Sequence, residues 1–372
     1  MPRLSQTATI ETPSAQFVAS PSLDMMNAMY FTGHLTQSEG VEGWPVELRR
    51  QMAPDLLAEL DFMFDYPAGN PGVLGTLCDN LFIHPEAQRD VDALVSYVES
   101  MPDGIGELDQ APGVQGLIYQ ATFRYPDDID RELYGKMPHR EAIQQRLRSL
   151  GDRDADAIMA WYDRPSALRD RMVGLIQRFF TEHYEKEMPG RLPALQRSVA
   201  RHRGEPRSDA EAVARRLTGR QKSCLEADCA GPFGRHMFAP SMDMGVYNSC
   251  AIVEGVHALF YPLEPEFVGV AVDMEETRLA RIYKALADEQ RLRILRLLHG
   301  REMYAQEIVD ATEIHQSVVS RHLSFMKAVG LVNVRRQNNM KFFSLNPTVK
   351  DILSGTLALF DAVAPVSKEA PR

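Results

Sequence analysis

Cysteine is scarce. Four cysteines in 372 residues cannot form a disulfide framework, so a reducing compartment is the expected setting. No apolar run approaches the ~18–20 residues that a membrane span needs, so no membrane partner is expected. The opening stretch MPRLSQTATIETPSAQF lacks the apolar core of a secretory signal and reads as a disordered tail. Together these features place the chain in the cytoplasm. Catalytic motifs are missing too: there is no Gly-rich phosphate loop, Gly-x-Ser-x-Gly elbow or His-Glu-x-x-His pair. The many acidic residues are not grouped into a catalytic pair, so no enzymatic activity is expected.

What is present is an ordinary globular composition, 44% hydrophobic and 25% charged, in a chain long enough for two or three domains. Its net charge of -10 is unevenly divided. Residues 276–350 hold 13 Lys+Arg against 7 Asp+Glu, a net of +6, which leaves -16 on the remainder. A basic module on an acidic body fits phosphate contact by one face only.

The spacing of apolar residues predicts a mainly α fold with small β elements. Residues 1–17 and 365–372 read as tails, and 18–222 as a helical N-terminal domain for sensing or dimerisation. Within it, Leu23, Met26 and Met29 recur at helical intervals, as do Leu48, Met52, Leu56, Leu60 and Phe64. Further helices are expected near residues 85–101 and 140–150 and along the run from Ser166 to Leu195, with loops at 67–75 and 101–113. The basic, polar stretch 200–222 reads as a connector or exposed helix. Residues 223–273 form a β-containing connector: AIVEGVHALFYPL and FVGVAV are rich in Val, Phe and Tyr, with Gly and Pro between them. No internal repeat is evident.

Residues 274–364 form the last domain, read as a winged helix-turn-helix. Arg278–His299 is an amphipathic helix interrupted near Asp288, with Gly300 as its C-cap. A short helix over Tyr304–Ala311, a turn at Thr312–His315 and a helix over Gln316–Val329 follow. Val319, Leu323 and Met326 face the core, which leaves Gln316, Ser317, Ser320, Arg321 and Ser324 outward. Hydroxyl and amide groups near a helix N-terminus can bond phosphates or base edges, and an arginine can grip phosphate or guanine. Leu331–Val334 and Met340–Leu345 form the wing, with Asn338-Asn339 at its tip. Candidate DNA-contacting residues are Gln316, Ser317, Ser320, Arg321 and His322 on the helix, with Arg335, Arg336 and Lys341 on the wing. The partner this order of elements implies is double-stranded DNA.

LADEQRLRILRLL, QEI, QSVVSRHLSFMKAVGLV and RRQNNMKFFSL resemble the ArsR family of winged-helix transcription regulators. The resemblance implies a homodimeric repressor on an inverted-repeat operator, released by a signal. It also implies dimer packing through Arg278–His299 and a final helix, Thr348–Ala364. SPSLDMMNAM, WPVELRRQMAPDLLAEL and PSALRDRMVGLIQRFFTEHYEKEMPGRLPALQRSV look like the extension of a long subgroup of such regulators, and FAPSMDMGVYNS resembles a strand-turn segment found there before the helix-turn-helix. Family members that sense metals carry a Cys-x-Cys pair where this chain has Tyr304 and Gln306. Their second site needs a histidine that DILSGTLALFDAVA lacks. His315 stands at a cap position usually held by Ser or Thr.

No cofactor is therefore expected from the family sites, and the effector is an unknown small molecule. An alternative thiol- or metal-responsive reading rests on Cys224, Cys229, His236 and Cys250, with His257 nearby, since thiolate and imidazole together suit zinc. Buried apolar cysteines are the simpler account of the same residues. Met25, Met26, Met29, Met52 and Met63, with Phe31, Phe62 and Phe64, are expected to form ordinary core rather than an effector pocket.

Overall fold

A computed structural model describes residues 14–35, 38–66, 70–108, 111–123, 136–149, 155–202, 210–218, 235–253, 255–264, 267, 274–337, 340–350 and 353–354. The chain divides into two compact units, Met1–Ala271 and Val272–Arg372. Among the described residues no helix is long and apolar enough to cross a membrane.

The first unit is built around α1 (Pro21–Gly33). Ser20 caps it by accepting the Leu23 N–H at 3.1 Å, and Pro21 opens the first turn. Twelve of its 13 residues are buried, so this is a helix wrapped on every side rather than an amphipathic one. Two of its polar side chains are satisfied within the helix: Thr32 donates to the Ala28 carbonyl at 2.7 Å and Asn27 to the Leu23 carbonyl at 3.2 Å. Around it lie α2 (Trp44–Gln51), α3 (Pro54–Phe64), α4 (Val73–Asn80), α5 (Val91–Ser100), α6 (Val114–Thr122), α7 (His139–Ser149) and α8 (Ala155–Tyr162). The long run after Pro165 is α9 (Pro165–Phe179), a π turn, a 3-10 turn and α10 (Met188–His202). The methionine and phenylalanine group is close-packed core: Met25, Met26, Met29, Met52, Met63, Phe31 and Phe64 are buried in one cluster, with Phe62 packed against it.

A four-stranded sheet completes this unit, with β1 (Ser14–Phe17), β2 (Arg235–Ser241), β3 (Ser249–Val253) and β4 (Val256–Pro262). The order is β1-β2-β4-β3; β1 and β4 run parallel to β2, and β3 runs antiparallel to β4. One face (Met237, Ala239, Ala258, Phe260) packs on the helical core. The other (Ala15, Phe238, Leu259, Tyr261) packs against Val213 and Ala214 of α11 (Ala210–Thr218). Both faces are covered, as parallel strands require.

Four expectations change here. The disordered tail does not extend to residue 17, because Ser14–Phe17 pairs with Arg235–Phe238. The β segment is no connector; its strands belong to the first unit's sheet. The polar stretch 200–222 contains a helix that covers that sheet, with Val213 and Ala214 buried beneath its charged exterior. The helix expected from residue 85 begins at Val91, because the Asp90 carboxylate accepts the Ala93 N–H at 2.7 Å and caps it.

A buried ion cluster ties these layers together. Arg191 on α10 donates to Asp24 at 3.0 Å and to Asp243 at 2.6 Å. Asp24 also accepts from Tyr184 at 2.6 Å and from the Ser241 hydroxyl and Met242 N–H, both at 2.9 Å. The guanidinium lies over the Trp44 ring, 4.4 Å from its centroid. Two carboxylates share one cation here. Burial pushes the Asp243 carboxyl up to about 6, against the opposing pull of Arg191.

The second unit runs α12 (Met274–Leu286), α13 (Glu289–Leu297), β5 (Met303–Tyr304), α14 (Ala305–Thr312), α15 (Gln316–Ala328), β6 (Val332–Gln337) and β7 (Met340–Leu345). Its three strands lie in the order β6-β7-β5. Asp288 breaks the first amphipathic run by capping α13, accepting the Arg291 N–H at 2.9 Å. The final helix expected over Thr348–Ala364 lies mostly outside the described residues.

Candidate nucleic-acid interface

The turn before α15 is tight. Glu313 ends α14 with a left-handed φ of 58°. Ile314 then turns inward, and His315 caps α15 by accepting the Ser317 N–H at Nδ1, at 3.3 Å. The imidazole thus does what a serine or threonine hydroxyl would do at this position. Val319, Leu323 and Met326 anchor the inner face, joined by Phe325. At the far end Gly330, φ 82°, lets Leu331 N–H reach the Met326 carbonyl at 2.8 Å, which closes the helix and starts the wing.

Arg291 locks α12, α13 and α15 together. Its guanidinium is buried, donates to the Ala285 carbonyl at 2.7 Å and the Lys284 carbonyl at 2.9 Å, and sits 5.0 Å from the centroid of the Phe325 ring. Burial alone would push the Asp288 carboxyl up, but the Arg291 N–H and guanidinium outweigh it and hold it below the usual carboxylate range. Sequence reading missed this anchor, since nothing in the EQRLRIL context distinguishes the buried Arg291 from the exposed Arg293.

The outward face of α15 carries Gln316, Ser317, Ser320 and Ser324 exposed and Arg321 half-buried. Ser317 is held by His315, 2.8 Å away. Gln316, Ser320, Arg321 and Ser324 make no side-chain hydrogen bond or ion pair with the described residues. One expectation is overturned. His322 is buried, 3% exposed, and its Nε2 lies 3.0 Å from the Gln290 side-chain oxygen on α13. Position 322 follows Val319 by three and precedes Phe325 by three, so it falls on the inner stripe.

On the wing, Arg335 is exposed, pairs with Glu302 at 2.7 Å and lies over Phe342, its partner across the ladder. Lys341 is exposed and sits opposite Arg336 in the register; the Arg336 side chain and the Asn338-Asn339 tip lie outside the described residues. Where metal sensors place a cysteine pair, Tyr304 packs edge-on against Phe342 and opens α14, and Gln306 donates to Asp310 at 2.8 Å. Both positions serve the fold.

Of the zinc and thiol candidates, Cys224 and Cys229 lie outside the described residues. His236 is on β2 and Cys250 on β3, with β4 between them. Two strand spacings of ~4.8 Å plus two residues along the strand separate them by roughly 12 Å, whereas zinc ligands lie about 2 Å from the metal. They are not neighbours in the register, so the sheet does not bring them together as a pair. His236 instead faces His257, with ring centroids 5.6 Å apart. Burial, then the neighbouring His257, lowers the His236 pKa. Among the described residues no three ligand-type side chains gather.

The profile described as "Bacterial regulatory protein, arsR family" matches residues 288–334, from the α13 cap to the first wing strand. The transcriptional activator HlyU of Vibrio cholerae is 32% identical over 89 residues, covering 23% of this chain and 82% of that protein. The transcriptional repressor SdpR of Bacillus subtilis is 34% identical over 68 residues, covering 18% of this chain and 76% of SdpR. A solved fragment of a possible transcriptional regulatory protein from Mycobacterium bovis shares 31% identity over 24% of this chain and 94% of its own, with a TM-score of 0.21. The profile match falls within the second unit, where the caps, the turn and the first wing strand described above are found. On its second unit, the chain belongs to the ArsR family of bacterial regulatory proteins.

Proposed function

We propose that this protein is a sequence-specific DNA-binding transcriptional repressor, acting as a homodimer on an inverted-repeat operator. Residues 316–326 enter the major groove, and the wing lies on the flanking phosphates. The observation that carries this reading is the outward face of α15. Its inner face is fully committed to the core, while Gln316, Ser320, Arg321 and Ser324 are left without partners among the described residues. A helix about 10–12 Å across fits a groove about 12 Å wide. The relatives are named as an activator and as a repressor of transcription, which supports regulation of transcription as the outcome. The first unit, with a core of its own, receives an unidentified small-molecule effector, and no catalytic step is part of this reading.

The test uses DNA from upstream of the protein's own coding sequence in a gel-shift assay. Arg321→Ala combined with Arg335→Ala abolishes binding while the oligomeric state and melting temperature persist. Arg335 has a surface ion pair to lose, worth at most ~1 kcal/mol, so the fold is retained. Unchanged affinity of this double variant overturns the mechanism.

A further inference from the structure

A second basic feature of the winged-helix unit is built from α13 and the end of α14. A cleft of about 700 Å³ opens where the ends of α13 and α14 meet, and Arg293, Arg296, His299, Arg301 and Thr312 line it. No carboxylate is among its described lining residues. Gly300, with φ 75°, turns the chain back so that Arg301 reaches the cleft and donates to the Leu297 carbonyl at 2.8 Å. Arg293 donates to the Thr312 carbonyl at 3.2 Å. Helix capping therefore accounts for one donor each of Arg293 and Arg301. It accounts for none of Arg296, which makes no hydrogen bond or ion pair with the described residues.

Three guanidinium groups, each with five N–H donors, thus line one cleft with most donors unused and no carboxylate among the described lining residues. The neighbouring Glu302 is paired with Arg335, and Asp310 accepts from Gln306. Clustered arginine forks match the several oxygens of a phosphate better than any single carboxylate. We propose that this cleft is a phosphate-binding site. Its phosphate is that of the DNA backbone beside the recognition helix, or that of a free phosphate-bearing molecule. Position favours the first source. Thr312 lies four residues before Gln316, so the cleft's edge is within ~14 Å of the helix start. That is about the width of the groove whose rim the backbone follows. The backbone source rests on the function proposed above; the phosphate chemistry does not.

The full-length protein and two variants, Arg296→Gln and Arg293→Gln/Arg296→Gln/Arg301→Gln, are compared on the upstream DNA by fluorescence anisotropy between ~50 and ~200 mM salt. Arg296→Gln has no intramolecular bond to lose, so it reports on the cleft even where the triple variant unfolds. In a second arm, inorganic pyrophosphate is titrated calorimetrically without DNA. With the DNA backbone as source, the slope of log affinity against log salt becomes shallower by ~1 for Arg296→Gln, and by ~2–3 for the triple variant. Preference for the upstream DNA over random DNA stays the same. An unchanged slope with pyrophosphate binding lost in Arg296→Gln assigns the site to a free phosphate-bearing molecule. An unchanged slope with no such loss overturns the proposal. Should the unmodified protein bind no DNA at ~50 mM salt, the proposed function falls. The pyrophosphate arm then decides alone: binding that Arg296→Gln abolishes upholds the cleft, and its absence removes it.

Discussion

The two units use arginine in opposite ways. In the first, arginines are tied to carboxylates: Arg171 to Glu59, Arg140 to Asp163, Arg178 to Asp55, and Arg191 to both Asp24 and Asp243. In the second, Arg291 is buried on backbone carbonyls, Arg293 and Arg301 cap helix ends, and Arg296 and Arg321 face out without an ion pair. A buried arginine that holds two carboxylates, as Arg191 does, has little left for a phosphate. One whose internal contacts are only carbonyls keeps its charge available. The difference helps explain how a chain of net charge -10 can present a cationic surface. Four arginines of the acidic body are neutralised by its own carboxylates. In the small basic unit Arg335 pairs with Glu302, but Arg293, Arg296, Arg301 and Arg321 have no ion pair among the described residues.

The comparison breaks most visibly at Arg191. Arg191→Met leaves Asp24 and Asp243 buried together without their cation, a loss of about 3–5 kcal/mol, read as a lower urea midpoint for the first unit. Arg321→Ala by contrast changes stability by less than ~0.5 kcal/mol, leaving the midpoint nearly in place, and lowers DNA affinity. A wild-type midpoint in Arg191→Met would mean the cluster does not support the fold. The next effect sharpens the same contrast through pH. Asp243 titrates near 6 in the fold and near ~3.9 unfolded, so the folded state binds the extra proton between those values. Its contribution is present below about pH 4 and lost as pH rises to about 6. Stability of the unmodified protein relative to Asp243→Asn should therefore fall across that window and level off above it. A flat difference would show that Arg191 keeps Asp243 ionised throughout. The smallest effect lies in the second unit. Glu313 holds a left-handed conformation that costs an L-residue roughly 1–2 kcal/mol, part of which glycine's greater unfolded entropy offsets. Glu313→Gly should raise the melting temperature by a degree or more without weakening DNA binding; a drop would show that the Glu313 side chain supports the turn.

Much of the second unit was legible in the sequence because its signals are short-range. Asp288 and Gly300 bracket α13, Val319, Leu323 and Met326 mark one face of α15, and Arg335–Asn339 marks the wing turn. Each of these acts within a few residues. His322 was misassigned because a helix-facing rule without the flanking contact to Gln290 leaves a residue at the edge of the stripe undecided. The arginine cleft was missed for a related reason. Arg293 and Arg296 are three apart in a recognisable pattern, but Thr312 joins them only when α14 packs on α13.

For the first unit the sequence determined little beyond helical content and a β-rich stretch. α1 has no polar face to reveal its orientation, because the structure surrounds it on all sides. β1 pairs with a strand more than two hundred residues later, and Asp24 meets Arg191 and Asp243 across similar separations. By itself, then, the sequence determined the DNA-reading module, since caps, turns and helical periodicity act locally. Only the tertiary structure decided which charges are neutralised and which remain available, because that depends on partners brought together from distant parts of the chain.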